Sequence, residues 1–241
     1  MTADDFHLSQ ASKIPGPFLI SFSGIDGAGK TTQITSLVNF LKEAGFRVRL
    51  VAFWDDIASF RHMRENISHA VFRGEIGVGS PDKPVNRKDK NVQNLFTFAA
   101  RMALCLLDAI ATKRALARIR RQSPVDVVIF DRYLYDQLAN LGTRYRISRP
   151  YTRLVLKFVP HPDVAYLLDA EPALARARKP EYPVDFLDTT RSCYLSLSKL
   201  AGMNVVHAGS PQEVSYRIQL VLAKKLGRRI DQPAPSSLTG T

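Results

Sequence analysis

A parallel α/β sheet covered by helices on both faces is the architecture this sequence predicts. Two observations carry it. Phe18–Ser23 is a short, β-prone apolar run that ends at a glycine turn and passes into residues with helical spacing from Lys30. Apolar runs of strand length recur down the chain, and stretches of helical periodicity separate them. Strands that alternate with helices pair in parallel, because the helix is the crossover that returns the chain to the same edge.

The elements follow in order. After the first strand, Ile34, Leu37, Val38 and Leu41 share one helical face. Gly45 ends that helix, and residues 46–53 alternate and then turn apolar, as a buried second strand does. The opening unit is therefore βαβ. A helix is expected over 57–71, and a loop over 73–90 that is rich in glycine, proline and charge and long enough to carry function. From 91 to 121, Val92, Leu95, Phe96, Ala99, Met102, Leu106, Ala109 and Ile110 recur at spacings of three and four, which predicts one long helix. Residues 125–130 form the third strand, 163–168 the fourth and Asn204–His207 a short fifth. Helices are expected at 134–141, 151–158, Pro172–Arg178, 184–200 and 211–226, and no internal repeat is present.

With 45% of 241 residues apolar, the chain can bury one sizeable core, so residues 17–226 are expected to form a single domain. Residues 1–16 carry Asp4 and Asp5, lack an apolar run and end in Pro15-Gly16 before Pro17. They predict a flexible extension, not a secretory signal, and hence a cytoplasmic protein. Residues 227–241 hold Pro233, Pro235 and several Ser and Thr with little to bury, which predicts a disordered tail. No apolar stretch approaches the roughly 20 residues that cross a bilayer, so no membrane partner is expected. Cys105 and Cys193 lack metal-type spacing and read as free thiols. The net charge of +12 suits nucleic acid, an anionic surface or a small polyanion. Much of it sits in Lys113, Arg114, Arg118, Arg120 and Arg121 and in Arg144, Arg146, Arg149 and Arg153, without interleaved aromatics, which reads as solvated helix and loop faces. No nucleic-acid partner is expected.

Gly24-Ile-Asp-Gly-Ala-Gly29-Lys30-Thr31 fits the pattern G-x-x-x-x-G-K-[ST] and lies between a strand and a helix, the context that gives this motif its meaning. Its glycines let successive N–H groups converge on a phosphate at a helix N-terminus. Gly24, Ile25, Asp26, Gly27, Ala28, Gly29, Lys30, Thr31 and Thr32 are thus the candidate ATP-binding residues, with Lys30 bridging the β- and γ-phosphates and Thr31 offering its hydroxyl to Mg²⁺. Asp131 ends an apolar strand where a parallel sheet presents its ligand-binding edge, so it acts on Mg²⁺ or merely caps a helix. Arg132 follows it, and a guanidinium can grip a phosphate with two hydrogen bonds. No Asn-Lys-x-Asp guanine motif occurs, which disfavours a regulatory GTPase.

Phe22-Ser-Gly-Ile-Asp-Gly-Ala-Gly-Lys-Thr-Thr-Gln33 resembles the first motif of thymidylate kinases. Asn94-Leu-Phe-Thr-Phe-Ala-Ala-Arg101 is similar to the helix carrying their acceptor-binding arginine, and Asp131-Arg132-Tyr133 matches their Asp-Arg-aromatic signature. The order and spacing agree over residues 17–226. The resemblance implies a five-stranded parallel sheet of the nucleoside-monophosphate-kinase type, ATP and Mg²⁺ as cofactors, nucleotide substrates and a homodimer. It also implies a lid at about 176–184, where Arg176 and Arg178, with Lys179 and Arg191, bring positive charge to the transferring phosphoryl group. An ordinary basic helix end is the plainer reading of that segment. Asp26 would face the acceptor sugar and Arg101 its base, with Phe98 and Arg132 also binding the acceptor, and Lys30, Arg132, Arg176 and Arg178 would form the catalytic set.

Three departures concern the acceptor. The second strand is followed by Phe53-Trp54-Asp55-Asp56-Ile57 where the family has a Phe-Pro-type turn. Asp136, then Ala139-Asn140-Leu141, replace the Ser and Ala-Tyr-Gln that shape the family's pocket, and the lid is short, ending at Lys179-Pro180-Glu181-Tyr182. Trp54 and Asp55 are either substituted pocket residues or part of a capped loop; Asp136 binds a sugar hydroxyl or lies on a helix surface. The expected activity is ATP-dependent phosphorylation of a nucleoside monophosphate, dTMP to dTDP. The alternatives are a related phosphotransferase with another nucleotide or a sugar as acceptor, or a non-catalytic nucleotide- or nucleic-acid-binding protein.

Overall fold

The computed structural model describes residues 16–57, 95–122, 124–141 and 147–231. The elements run β1 (Phe18–Ser23), α1 (Lys30–Glu43), β2 (Val48–Ala52), a single π-helical turn (Phe53–Ile57), α2 (Leu95–Gln122), β3 (Val127–Asp131), α3 (Leu134–Asn140), α4 (Ser148–Phe158), β4 (Val164–Asp169), α5 (Pro172–Arg178), α6 (Val184–Ala201), β5 (Asn204–His207) and α7 (Pro211–Asp231). The five strands are parallel in the order β2-β3-β1-β4-β5. The α/β fold class and the strand count stand as the sequence predicts them.

The pleat of β1 and β3 sorts the core into two layers. Phe18, Ile20 and Phe22, with Val127 and Ile129, pack under α1 and α7 against Leu37, Leu41, Ile218 and Leu222. Leu19, Val128 and Phe130 turn the other way and join Tyr133, Leu138, Leu187 and Leu197 under α2, α3 and α6. Because β1 and β4 are covered on both sides, all of their residues are buried, which is why they read as near-continuous apolar runs. Phe22 and Tyr166 stack with ring centroids 5.1 Å apart in the first layer, and burying each such ring contributes about 1.5–3 kcal/mol.

Several boundaries differ from expectation. β2 stops at Ala52, and Phe53–Ile57 coils into the π-helical turn, whose Asp56 Oδ2 accepts from the Ala52 N–H at 2.8 Å. The capping carboxylate is Asp56, while Trp54 packs edge-on to Phe53 at 5.4 Å. α4 starts at Ser148 and not at 151, because Pro150 is tolerated in a first turn. α7 continues to Asp231, so the tail expected from 227 begins inside a helix. Gly227 is no stop there, since its φ is not positive and the lysines and arginines around it favour helix. The remainder of the expected 57–71 helix beyond Ile57, the 73–90 loop and the tail beyond 231 lie outside the described residues.

The register sets the site. Asp131 lies opposite Phe22 of β1 and Ala52 of β2, and Asp169 lies opposite His207. Ser23, Asp131, Asp169 and His207 thus close one rim of the sheet, the carboxyl rim where ligands of open parallel sheets bind.

Candidate active site

β1 delivers the chain at Ser23 into the loop Gly24–Gly29, and Gly29, at φ +88°, caps α1 without any side-chain bond. The first-turn N–H groups of α1 therefore carry no side-chain cap, as an anion cradle requires. Two glycines are dictated by close approach. A methyl group on Gly24 would lie 2.6 Å from the Leu168 carbonyl oxygen, and one on Gly27 would lie 2.1 Å from that of Ala175. The second contact seats the backbone of α5 on the apex of the loop.

Lys30 folds back over the loop, its Nζ donating to the carbonyls of Gly24 at 3.0 Å and Ile25 at 2.8 Å. Burial, helped by the nearby charge of Arg132, pulls its pKa down to about 8, although Asp26, Asp136 and Asp131 work in the opposite direction. Thr31 and Thr32 are exposed on the first turn of α1.

Arg132 follows Asp131 with a φ of +66°, the one non-glycine residue at positive φ among the described residues. Such a conformation costs roughly 1–3 kcal/mol and needs support from its surroundings. Its N–H donates to the Phe22 carbonyl at 3.0 Å. Its Nη2 donates to Asp26 Oδ1, and its Nη1 to Asp136 Oδ1 at 3.1 Å. Burial works against this charge, but the carboxylates of Asp136 and Asp26 outweigh it and hold the guanidinium pKa above its usual value.

Asp136 is the hub that sequence reasoning missed. It is neither exposed on a helix surface nor open to a sugar hydroxyl: it is fully buried and accepts four hydrogen bonds. Ser23 Oγ donates to its Oδ2 at 2.7 Å and the Tyr133 N–H at 3.1 Å; Tyr194 Oη donates to Oδ1 at 2.7 Å, alongside Arg132. β1, α3 and α6 are thereby tied to the arginine. The available hint was Ser21 and Ser23 alternating with Phe18, Ile20 and Phe22, a polar pair pointing away from the apolar face.

The lid segment is only partly gathered to the loop. α5 touches the loop through Ala175, while Arg176 is half-buried and Arg178 exposed at the helix end. Lys179 pairs with Glu181 at 3.0 Å. Arg191 is bound to Asp169 through Nε at 2.5 Å and Nη2 at 2.9 Å, and His207 Nδ1 lies 3.2 Å from the same carboxylate. The Arg191 bond, despite partial burial, keeps Asp169 below the usual carboxylate range. On the acceptor side, Phe98 is buried in the larger apolar layer, with Trp54 packed against that layer, and Arg101 is half-buried on α2.

No family model matches the chain. It is similar to a probable thymidylate kinase of Archaeoglobus fulgidus, 26% identical over 212 residues that cover 85% of this chain and 94% of the relative. A probable thymidylate kinase of Methanothermobacter thermautotrophicus is 28% identical over 86% of this chain and 95% of its own length. The thymidylate kinase of Bifidobacterium longum is 29% identical over 78% and 84%. Among solved structures, the thymidylate kinase of Ehrlichia chaffeensis shares the fold with a TM-score of 0.52 and 18% identity, covering 87% of this chain and all of that one. The similarity to thymidylate kinases thus extends over more than three quarters of this chain, and the five-stranded parallel sheet with its glycine-rich loop is the fold on which it rests.

Proposed function

We propose that this enzyme transfers the γ-phosphoryl group of ATP to dTMP, giving dTDP and ADP. The observation that carries the reading is the arrangement on one rim of the sheet of a buried lysine inside a glycine cradle and, beside it, an arginine paired with the loop carboxylate. Phosphoryl transfer needs little else from a protein than position and counter-charge.

The donors on this rim suit Mg²⁺, which takes one or two protein oxygens and completes its shell with water and phosphate. Thr31 offers an exposed hydroxyl, and Asp131 ends β3 within electrostatic reach of Lys30. Bound there, Mg²⁺ supplies charge neutralisation at the phosphate oxygens.

The chain's own residues do the rest. Lys30 exchanges its two carbonyl partners for β- and γ-phosphate oxygens. Arg132 turns its Nη2 from Asp26 to the acceptor phosphate while Nη1 stays on Asp136, and the released Asp26 carboxylate faces the acceptor sugar. Phe98 and Arg101 hold the base, and Arg176 and Arg178 bring positive charge as the lid closes and water is excluded.

The test is ADP release measured across a panel of nucleoside monophosphates, with dTMP expected as the best acceptor. Arg101→Ala should raise the KM for dTMP about ten- to hundredfold with little change for ATP, the worth of a charge-assisted hydrogen bond in a closed pocket. Failure to turn over dTMP at millimolar concentration while MgATP still binds would leave only the donor half of the reading. A cytoplasmic homodimer completes the proposal. α2 exposes Leu106, Leu107 and Ile110, and α4 exposes Leu154 and Phe158, an apolar surface suited to a second copy. Sedimentation equilibrium distinguishes dimer from monomer.

A further inference from the structure

A cavity of about 360 Å³ opens between α3, α4 and α6, and none of its lining residues belongs to the P-loop, the Asp131-Arg132 pair or the lid helix. Its walls are apolar at Leu138 and Leu197, while Arg149, Arg153 and Lys199 stand around it. Among the described residues, no carboxylate lines it. Ser148 opens α4, an eleven-residue helix whose N-cap position is held by Ile147, a residue with no side-chain donor or acceptor, so the first N–H groups receive no side-chain cap. The Ser148 side chain lines the cavity and is 98% buried, yet its Oγ has no hydrogen-bond partner among the described residues. A buried hydroxyl without a partner is destabilising, and here it stands at the positive end of a helix dipole with two guanidinium-bearing side chains nearby. Helical spacing puts Arg149 and Arg153 on the flank of α4 away from Leu154 and Phe158, so the cavity is separate from the apolar surface assigned to a second copy.

We infer that this cavity is a second binding site, for a small organic anion with an apolar body and a single phosphate or carboxylate head. The head takes the Ser148 hydroxyl, the α4 N-terminus and the Arg149 and Arg153 guanidiniums; the body fills the space between Leu138 and Leu197. Neither part alone accounts for both the orphaned hydroxyl and the apolar walls.

The probe is phenyl phosphate, titrated calorimetrically into the full chain with the nucleotide site saturated by ADP. One molecule should bind per chain, and inorganic phosphate and phenol should each bind at least about tenfold more weakly. The double variant Arg149→Ala, Arg153→Ala should weaken phenyl phosphate about tenfold or more while leaving ATP turnover unchanged. Ser148→Ala should weaken it about three- to tenfold and leave the Tm of the unliganded protein unchanged or raised, since the variant removes an unsatisfied buried group. Cys193 also lines the cavity, whereas Cys105 is fully buried, so phenyl phosphate should slow alkylation of Cys193. The proposal is overturned by inorganic phosphate binding as well as phenyl phosphate, by unchanged affinity in the arginine variant, by unprotected Cys193, or by a Ser148→Ala variant that lowers the Tm with affinity intact.

Discussion

Arg132 donates to Asp26 across the mouth of the P-loop, so the arginine that follows Asp131 and the acid of the loop are held as one ion pair. The pair keeps both groups oriented inside a partly buried site, where a lone charge would be costly. Each partner has a use in the proposed reaction, which requires substrate binding to separate them.

Arg132→Ala should therefore lower kcat about ten- to hundredfold or more while changing the Kd for ATP by no more than about threefold, because Lys30 and the loop N–H groups hold the donor on their own. Arg132→Lys should not rescue. An ammonium cannot serve Asp26 and Asp136 at once with the planar fork seen here. Steady-state kinetics beside calorimetric ATP binding separates the two effects; a variant that loses ATP affinity in step with kcat would assign Arg132 to the donor instead.

Asp136→Asn should destabilise the fold by about 3–5 kcal/mol, the cost of breaking a buried charge pair, and lower the Tm by roughly 6–20 °C for a domain of this size. The carboxylate accepts from Ser23, Tyr133, Tyr194 and Arg132. An asparagine offers one acceptor oxygen and turns an NH₂ toward donors. Tyr194→Phe removes one of the four and should cost about 1–2 kcal/mol. Thermal unfolding of both variants measures this; a Tm within 2 °C of wild type for Asp136→Asn would mean that the network is dispensable.

How far these parts were legible follows from their range in sequence. The phosphate loop is local: its glycines, lysine and threonine must be adjacent for the backbone to curl, so the pattern declares itself. Asp131-Arg132 is local too, placed by the strand before it. Asp136 is different, since its partners lie 113 and 58 residues away at Ser23 and Tyr194, and a lone carboxylate in a short helix has the same local pattern whether buried or exposed. Being basic and close in sequence groups Arg191 with the lid, but the end of β4 brings Asp169 to it first. The π-helical turn at Phe53–Ile57 has no periodicity to betray it, as it is a single turn.

Gly27→Ala tests the seat of α5 on the loop. The new methyl would stand 2.1 Å from the Ala175 carbonyl oxygen, and the residue would keep a φ of +82°, so both sterics and backbone conformation oppose it. The loop or α5 must shift, and MgATP affinity should fall by at least about tenfold. Gly29→Ala meets nothing within 4 Å and carries only the conformational penalty of φ +88°, so it should be the milder variant. Equal affinity losses in the two would show that the α5 contact contributes nothing.

Lys30 links nucleotide binding to pH, and the sign follows from its surroundings. In the protein without nucleotide, burial and then the charge of Arg132 pull its pKa down to about 8 from the ordinary lysine value of 10.5. Phosphate oxygens in place of the Gly24 and Ile25 carbonyls favour the charged form and raise the pKa again. Below pH 8 the ammonium is present before and after binding, and affinity is full. Above it the unliganded protein has released a proton that the complex retains, so binding takes up as much as one proton and affinity falls by up to about tenfold per pH unit. Folding stability without nucleotide runs the other way. Between about pH 8 and 10.5 the unfolded chain holds the proton that the native state has lost, so this group's contribution favours the fold more as pH rises. Calorimetry of MgATP binding in two buffers of different ionisation enthalpy, at pH 7 and at pH 9, measures the linkage. Proton uptake by the protein should grow toward one at the higher pH and vanish in Lys30→Met, whereas an affinity that stays flat from pH 7 to pH 9 would place the Lys30 pKa well above 8.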